Sequence, residues 1–416
     1  MALELNKLTQ QVGQMGEVMA ARRRDHDDRV GRAREALALH GTVTDDLREK
    51  IATARRVDES WRGADPYPWS DRLDLRRRPG GPPVPATLIA VDGSQIYPDR
   101  HDIAPYYLIN VGSVILRQDS GQAPAVSTEP ELHFNDDDLY DDAGRLRQAE
   151  YVNARRAERE LDRLVELAEA ERMALGGDLD RPILALSDGP LLPWQSQRRR
   201  AGATGNDLDE QLSHFIQQLD RLCALHVIPI GYVDRPSSAN VLRTLELADL
   251  PGAGIDRQTV RHGRYRLLTD RLLLGNLAPN ERSGLFASTS ELNERLGRAG
   301  TDGQRYQAVF FYLNVARPAT GDQTQRTAIG RVELPTWEWV IGNPAMLDLV
   351  QNALYTDCEL TRYPYVLARA HEEAVVGNFE KANLEAMLQQ IMWRHGLPPL
   401  ASEKAANKQQ TGSRRR

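Results

Sequence analysis

Two aspartates stand where an apolar run gives way to a glycine. Asp92-Gly93-Ser94 closes the run from Ala86 to Val91, and Asp188-Gly189-Pro190 closes the run from Pro182 to Ser187. Each reads as a buried strand delivering a carboxylate into a turn, so two acids far apart in the chain can meet at neighbouring strand ends. Carboxylates are hard oxygen donors, and a pair held together by a sheet suits Mg²⁺ or Mn²⁺ rather than zinc or copper. One Asp-Gly turn is ordinary, because both residues favour turns. Two of them, each after a run too apolar to be exposed, weigh more, since a carboxylate at a buried strand end is costly unless a cation neutralises it. Two-ion phosphoryl transfer needs a third acid, so that one ion activates water while the other stabilises the leaving oxygen. Between the strands the choices are Glu131, Asp136 to Asp138, Asp141, Asp142, Glu150 and Glu158. Glu150 is the expected one: the start of a long helix can face the strand ends, whereas the Asp run reads as a solvated loop.

The elements that must position these acids follow from periodicity. A strand ends at Asp92, and Tyr106 to Gln118 is either a hairpin or one long strand bulged at Gly112-Ser113. An acidic loop, Asn135 to Asp142, precedes an amphipathic helix from about Leu146 to Leu175, with Leu161, Leu164 and Leu167 on its inner face. Strand Ile183 to Ser187, helix Leu208 to Leu225, strand Val227 to Val233 and helix Ala239 to Leu247 then alternate. The result is an α/β fold, a mixed sheet flanked by helices. Strands at Ala308 to Val315 and Ala328 to Leu334 follow, then helical additions near Met346 to Leu354, Val366 to Val376 and Leu384 to Trp393.

Before the sheet, residues 1–74 form an N-terminal helical arm. Leu8, Val12, Met15 and Met19 make an apolar stripe, free to pack on the core or to meet a partner, and Thr44-Asp45-Asp46 caps a second helix. The Pro/Gly/Arg-rich stretch 75–85 reads as a linker, 86–400 as the catalytic domain, and 401–416 as a disordered basic tail.

Composition sets limits. The 416 residues are 41% hydrophobic with a formal net charge of -6, so nothing global marks a nucleic-acid binder and any such contact must be local. Arg198, Arg199 and Arg200, beside the second Asp-Gly turn, and Arg235 are the candidate phosphate contacts, with a solvated basic loop the plainer alternative. Cys223 and Cys358 form neither a disulfide framework nor a zinc site alone, and no signal peptide or long apolar span is visible. A cytoplasmic location is expected.

The Asp92-Gly93-Ser94 and Asp188-Gly189-Pro190-Leu191 elements, the exit Gly231-Tyr232-Val233-Asp234-Arg235-Pro236, and Tyr363-Pro364-Tyr365 followed by His371 resemble, in that order, the NurA nuclease family. The resemblance spans roughly residues 85 to 380 and rests on order and combination. It implies an RNase H-like core, Mn²⁺-dependent (or Mg²⁺-dependent) 5′-to-3′ exonuclease and single-strand endonuclease activity on DNA, a homodimer, and a HerA-type hexameric ATPase as partner, in DNA repair or antiviral defence. Carried over by position, Asp92, Glu150 and Asp188 are the acidic ligands, with His371 as a further ligand or proton shuttle and Tyr363 orienting substrate. Two other classes stay open on the residues alone: a catalytically weak adaptor of such an ATPase, and a metal phosphohydrolase acting on small phosphate esters.

Overall fold

The computed structural model describes residues 5–67, 70–99, 104–192, 205–298, 306–319 and 327–397. Arg198, Arg199 and Arg200 and the basic tail fall outside the described residues. The chain divides into two compact units. One comprises Met1–Val84, Gly189–Leu192 and Gly231–Arg362, the other Pro85–Asp188, Pro193–Ile230 and Tyr363–Arg416.

The unit that begins at Pro85 carries the expected α/β architecture. Strands β1 (Thr87–Ile96), β2 (Tyr107–Arg117) and β3 (Ala125–His133) form an antiparallel meander. Helix α1 (Ala149–Ala174), strand β4 (Ile183–Asp188), helix α2 (Gly205–Ala224) and the first residues of β5 (Val227–Val233) then alternate. The strand order is β3-β2-β1-β4-β5, with β1 parallel to β4, which is the RNase H-like arrangement. Helices α3 (Tyr365–Ala374) and α4 (Asn378–Arg394) complete the unit.

Burial explains the order. Residues Leu88 to Val91 of β1 and Ile183 to Leu186 of β4 are all buried, as strands covered on both faces must be. β3 is polar and carries Pro130, which only an edge strand tolerates, and so its composition hid it from periodicity. Val152, Leu164, Val165, Leu167 and Ala168 bury the inner face of α1. β2 is one uninterrupted strand, in register with β1 from Thr87 opposite Arg117 to Ile96 opposite Leu108, so the expected hairpin or bulge at Gly112-Ser113 is absent. Gly112 serves packing instead, as the site below makes plain.

The other unit is built on antiparallel pairing. Strand Ala308–Asn314 pairs along its whole length with Ile329–Pro335, which in turn pairs with Gly231–Val233. Phe286–Ser288 and then Ala64–Pro66 extend the other side. Arg76–Arg77, inside the expected linker, forms a short strand with Arg282–Ser283. In the N-terminal arm, Thr44 Oγ1 accepts from the Leu47 amide as the capping pattern predicts. Val30, Ala33, Leu37, Leu47, Ile51 and Ala54 enter this unit's core. The stripe differs: Val12, Met15 and Met19 are exposed.

Candidate active site

The last hydrogen-bonded pair between β1 and β4 is Val91 with Ser187. Asp92 and Asp188 are therefore the next residues out on adjacent parallel strands, which run about 5 Å apart. β4 ends at Asp188, but β1 stays paired with β2 as far as Ile96, so the strand end and turn expected at Asp92 are absent and Asp92 lies within the strand. Asp92 is half-buried, and Asp188 sits exposed at the strand tip with Gly189 beyond it in the left-handed region at φ 108°.

Across β1, Asp92 lies opposite Gly112 and Ser94 opposite Asn110. These four positions face α3 and hold it. A Cβ on Gly112 would fall 2.4 Å from the Ala374 nitrogen and 2.5 Å from the Ala370 carbonyl oxygen, so only glycine allows the helix backbone this close. Ser94 Oγ (2.5 Å) and Asn110 Nδ2 (2.8 Å) both donate to the Ala374 carbonyl at the helix C-terminus, satisfying an orphan acceptor. Thr128 Oγ1 orients Asn110 by donating to its Oδ1. This clamp brings His371, on the same helix, to Asp92, with Nδ1 2.6 Å from Oδ2. An ionised carboxylate only accepts, so Nδ1 carries the proton and Nε2 is the basic nitrogen of a ring whose side chain is 67% exposed.

On its opposite face the same stretch of β1 meets α1. A Cβ on Gly93 would fall 2.5 Å from Glu160 Oε1 and 2.9 Å from Arg156 Cγ. Arg156 Nη1 donates to the Gly93 carbonyl (2.7 Å) and pairs with Glu160 Oε1 at 2.9 Å. Burial, and then the charges of Asp92 and Asp188, push the Glu160 carboxyl up to about 7 against the pull of Arg156. Glu160 Oε1 also lacks a hydrogen bond of good geometry. Three carboxylates thus share one electrostatic environment beside the end of β4.

Glu150 is in the first turn of α1. Ten residues of helix separate it from Glu160, about 15 Å along the axis. Sequence reasoning missed Glu160: on the row Val152, Arg156, Glu160, Leu164 and Ala168 it reads as the i, i+4 partner of Arg156 rather than as part of a site. Tyr363 is half-buried and immediately precedes Pro364, the N-cap of α3. Arg235, in the unit containing Gly231–Arg362, is exposed in the left-handed region at φ 44°, with its guanidinium 3.6 Å from Asp234.

The sequence profile of the NurA domain matches residues 86–376, well over half the chain. The chain belongs to the NurA family. That family is one of nucleases, which makes this protein a nuclease by membership. Similar solved structures include the NurA nuclease from Sulfolobus solfataricus, 14% identical at a TM-score of 0.42, covering 84% of this chain and 92% of that one. Endonuclease V of Ciona intestinalis is 12% identical at 0.28, covering 76% and 92%, and the catalytic domain of human endonuclease V is 15% identical at 0.29, covering 86% and 100%. Comparison with curated proteins gives no match.

NurA nucleases are generally metal-dependent. Among the described residues no three His, Cys, Asp or Glu groups converge into a ready-made metal cage. The donor set nevertheless fits a hard divalent cation: three carboxylates and an imidazole, with a carboxylate whose proton affinity is raised by burial and then by its two acidic neighbours. No described helix is long and apolar enough to cross a membrane.

Because α3 rests on Gly112, Gly112→Ala is expected to destabilise the protein by about 1–3 kcal/mol through overpacking and to lower nuclease activity by shifting His371. Thermal unfolding and cleavage rates check this, and unchanged values for both would remove Gly112 from the construction of the site.

Proposed function

We propose that this NurA-family protein is a divalent-metal-dependent DNA nuclease with 5′-to-3′ exonuclease and single-strand endonuclease activity. The observation that carries this is the placement of Asp92 and Asp188 on adjacent strands where β4 ends, with Glu160 of α1 packed against Gly93 and His371 of α3 hydrogen-bonded to Asp92. Asp92, Asp188, Glu160 and His371 would hold Mn²⁺ or Mg²⁺, with Glu160 taking the part expected of Glu150. When bound, the ion supplies Lewis-acid polarisation of the scissile phosphate and acidifies water. The chain's own residues do the rest. Arg156 fixes Glu160 against the backbone of Gly93, and Asp92 holds the tautomer of His371, so that Nε2 can accept a proton or act as a ligand. Tyr363, at the base of α3, orients the substrate, and Arg235 is a candidate phosphate contact.

The test is cleavage of 5′-labelled single- and double-stranded DNA by the pure full-length protein with Mn²⁺, Mg²⁺ or EDTA. Cleavage with a divalent ion, abolished by EDTA, is expected. His371→Ala should retain about 10⁻² to 10⁻⁴ of the rate, the range for a lost proton-transfer group. Absence of cleavage with either ion overturns the proposal.

A net charge of -6 gives little long-range attraction for DNA, so delivery by a HerA-type ring ATPase would raise the local substrate concentration. We propose a cytoplasmic homodimer working with such a motor. The exposed Val12, Met15 and Met19 offer an association face. Deleting residues 1–60 would also strip Leu47 and Ile51 from a core, so the sharper probe is Val12, Met15 and Met19 all changed to Ser. This variant should dissociate more readily in sedimentation velocity or lose ATPase capture. If neither changes, the stripe has no such role.

A further inference from the structure

The unit containing Gly231–Arg362 holds a pocket of about 550 Å³ whose charge is one-sided. Arg77, Arg78 and Arg282 line it against a single carboxylate, Asp348. That carboxylate is partly engaged, since its Oδ2 accepts from the Gly80 amide at 2.8 Å. Arg78 Nε stands 3.4 Å from Glu281. Arg282 is the unusual member. It is 7% exposed, its Nη1 donates to the Ser283 carbonyl (3.2 Å), its Nε has no acceptor, and among the described residues no carboxylate stands within ion-pair distance of it. Burial pulls its guanidinium down to about 10. Its guanidinium lies over the Phe311 ring at 5.6 Å. A buried cation with no carboxylate at ion-pair distance is still costly, and a bound anion would supply that partner.

Two further features agree. Gly342 and Pro344, at the N-terminus of the 15-residue helix Pro344–Cys358, belong to the lining and add the positive end of a helix dipole. Leu75, Leu285, Ile341 and Leu347 supply apolar wall, and the volume is that of a small-molecule site.

We propose that this pocket binds the phosphate group of a small molecule, free phosphate or a nucleotide, anchored by Arg282 with Arg77 and Arg78 completing the grip. The site shares no residue with the acid cluster and its occupancy needs no divalent ion, so its test is separable from that of nuclease activity. The full-length protein, in EDTA and at ionic strength fixed with NaCl, is titrated calorimetrically with sodium phosphate, AMP and adenosine. Phosphate and AMP should bind and raise the melting temperature, and adenosine should do neither. Tighter binding of AMP identifies a nucleotide site, and equal binding a site for the bare anion. Arg282→Met and Arg78→Ala should each weaken binding about ten- to a hundredfold, the worth of one charge-assisted hydrogen bond, whereas the exposed Arg257→Ala should not. Should Arg282→Met fail to fold, the exposed Arg78 carries the test. Adenosine binding as well as AMP, no binding of either phosphate compound at low millimolar concentration, or undiminished binding in the folded arginine variants overturns the assignment.

Discussion

Asp92→Ala and Asp188→Ala are each expected to reduce Mn²⁺-dependent DNA cleavage at least about a thousandfold, because metal-ion catalysis contributes several kcal/mol and each 1.36 kcal/mol is a factor of ten. The fold should survive both changes. Asp188 is exposed at the strand tip, and the Asp92 side chain makes its cross-chain contact with an exposed histidine ring, so neither substitution opens a core cavity. The two variants should still differ. Among the described residues the His371 ring is hydrogen-bonded to Asp92, so Asp92→Ala should release the imidazole and alter the Nδ1 and Nε2 signals of a ¹⁵N-labelled histidine, while Asp188→Ala leaves them close to wild type. Cleavage near the wild-type rate by pure Asp92→Ala protein would sink the assignment of the site, and identical histidine spectra would sink the clamp.

How much of this was legible depends on whether a residue's job is local. The end of β4 at Asp188 and the alternation of helix and strand from Ile183 to Val233 follow from patterns a few residues long, whereas Asp92-Gly93 proved to lie inside a strand that continues to Ile96. Gly112 could not be read that way. In sequence it looks like a break in a strand, and only the approach of α3, from more than 250 residues later, shows that the missing side chain is a docking surface. β3 escaped because an edge strand lacks apolar alternation. Glu160 was not among the candidates and Glu150 was chosen because helix starts are visible in a sequence, whereas which turn of a 26-residue helix crosses the sheet beside Asp92 is set by tertiary packing. The arginine pocket gave no signal at all, since Arg77 and Arg78 read as linker and nothing in the sequence around Arg282 ties it to them.

Glu160 also makes the acid cluster measurable without DNA. Its carboxyl sits at about 7 in the folded protein, above the ordinary 4.5, so the native state holds this proton more tightly than the unfolded chain. Stability must then fall as pH rises from about 4.5, and the full penalty is present above about 7. In metal-free buffer that penalty is at most about 3 kcal/mol, the pKa difference multiplied by 1.36 kcal/mol per unit. Glu160→Gln removes the charge but keeps the shape. Arg156 loses an ion-pair partner yet retains its bond to the Gly93 carbonyl, which offsets part of the gain. The variant is therefore expected to be more stable than wild type by about 1–2 kcal/mol at pH 8 in EDTA, equal to it near pH 4.5, and inactive on DNA. Mn²⁺ should reverse the order at pH 8 by stabilising only the wild type, since binding to the native state alone raises stability. Glu150→Gln should change neither activity nor the pH profile. Chemical denaturation across pH 4.5 to 8 with and without Mn²⁺ decides it: a Glu160→Gln curve parallel to wild type, or a Glu150→Gln variant that is inactive, would return the third acid to the first turn of α1.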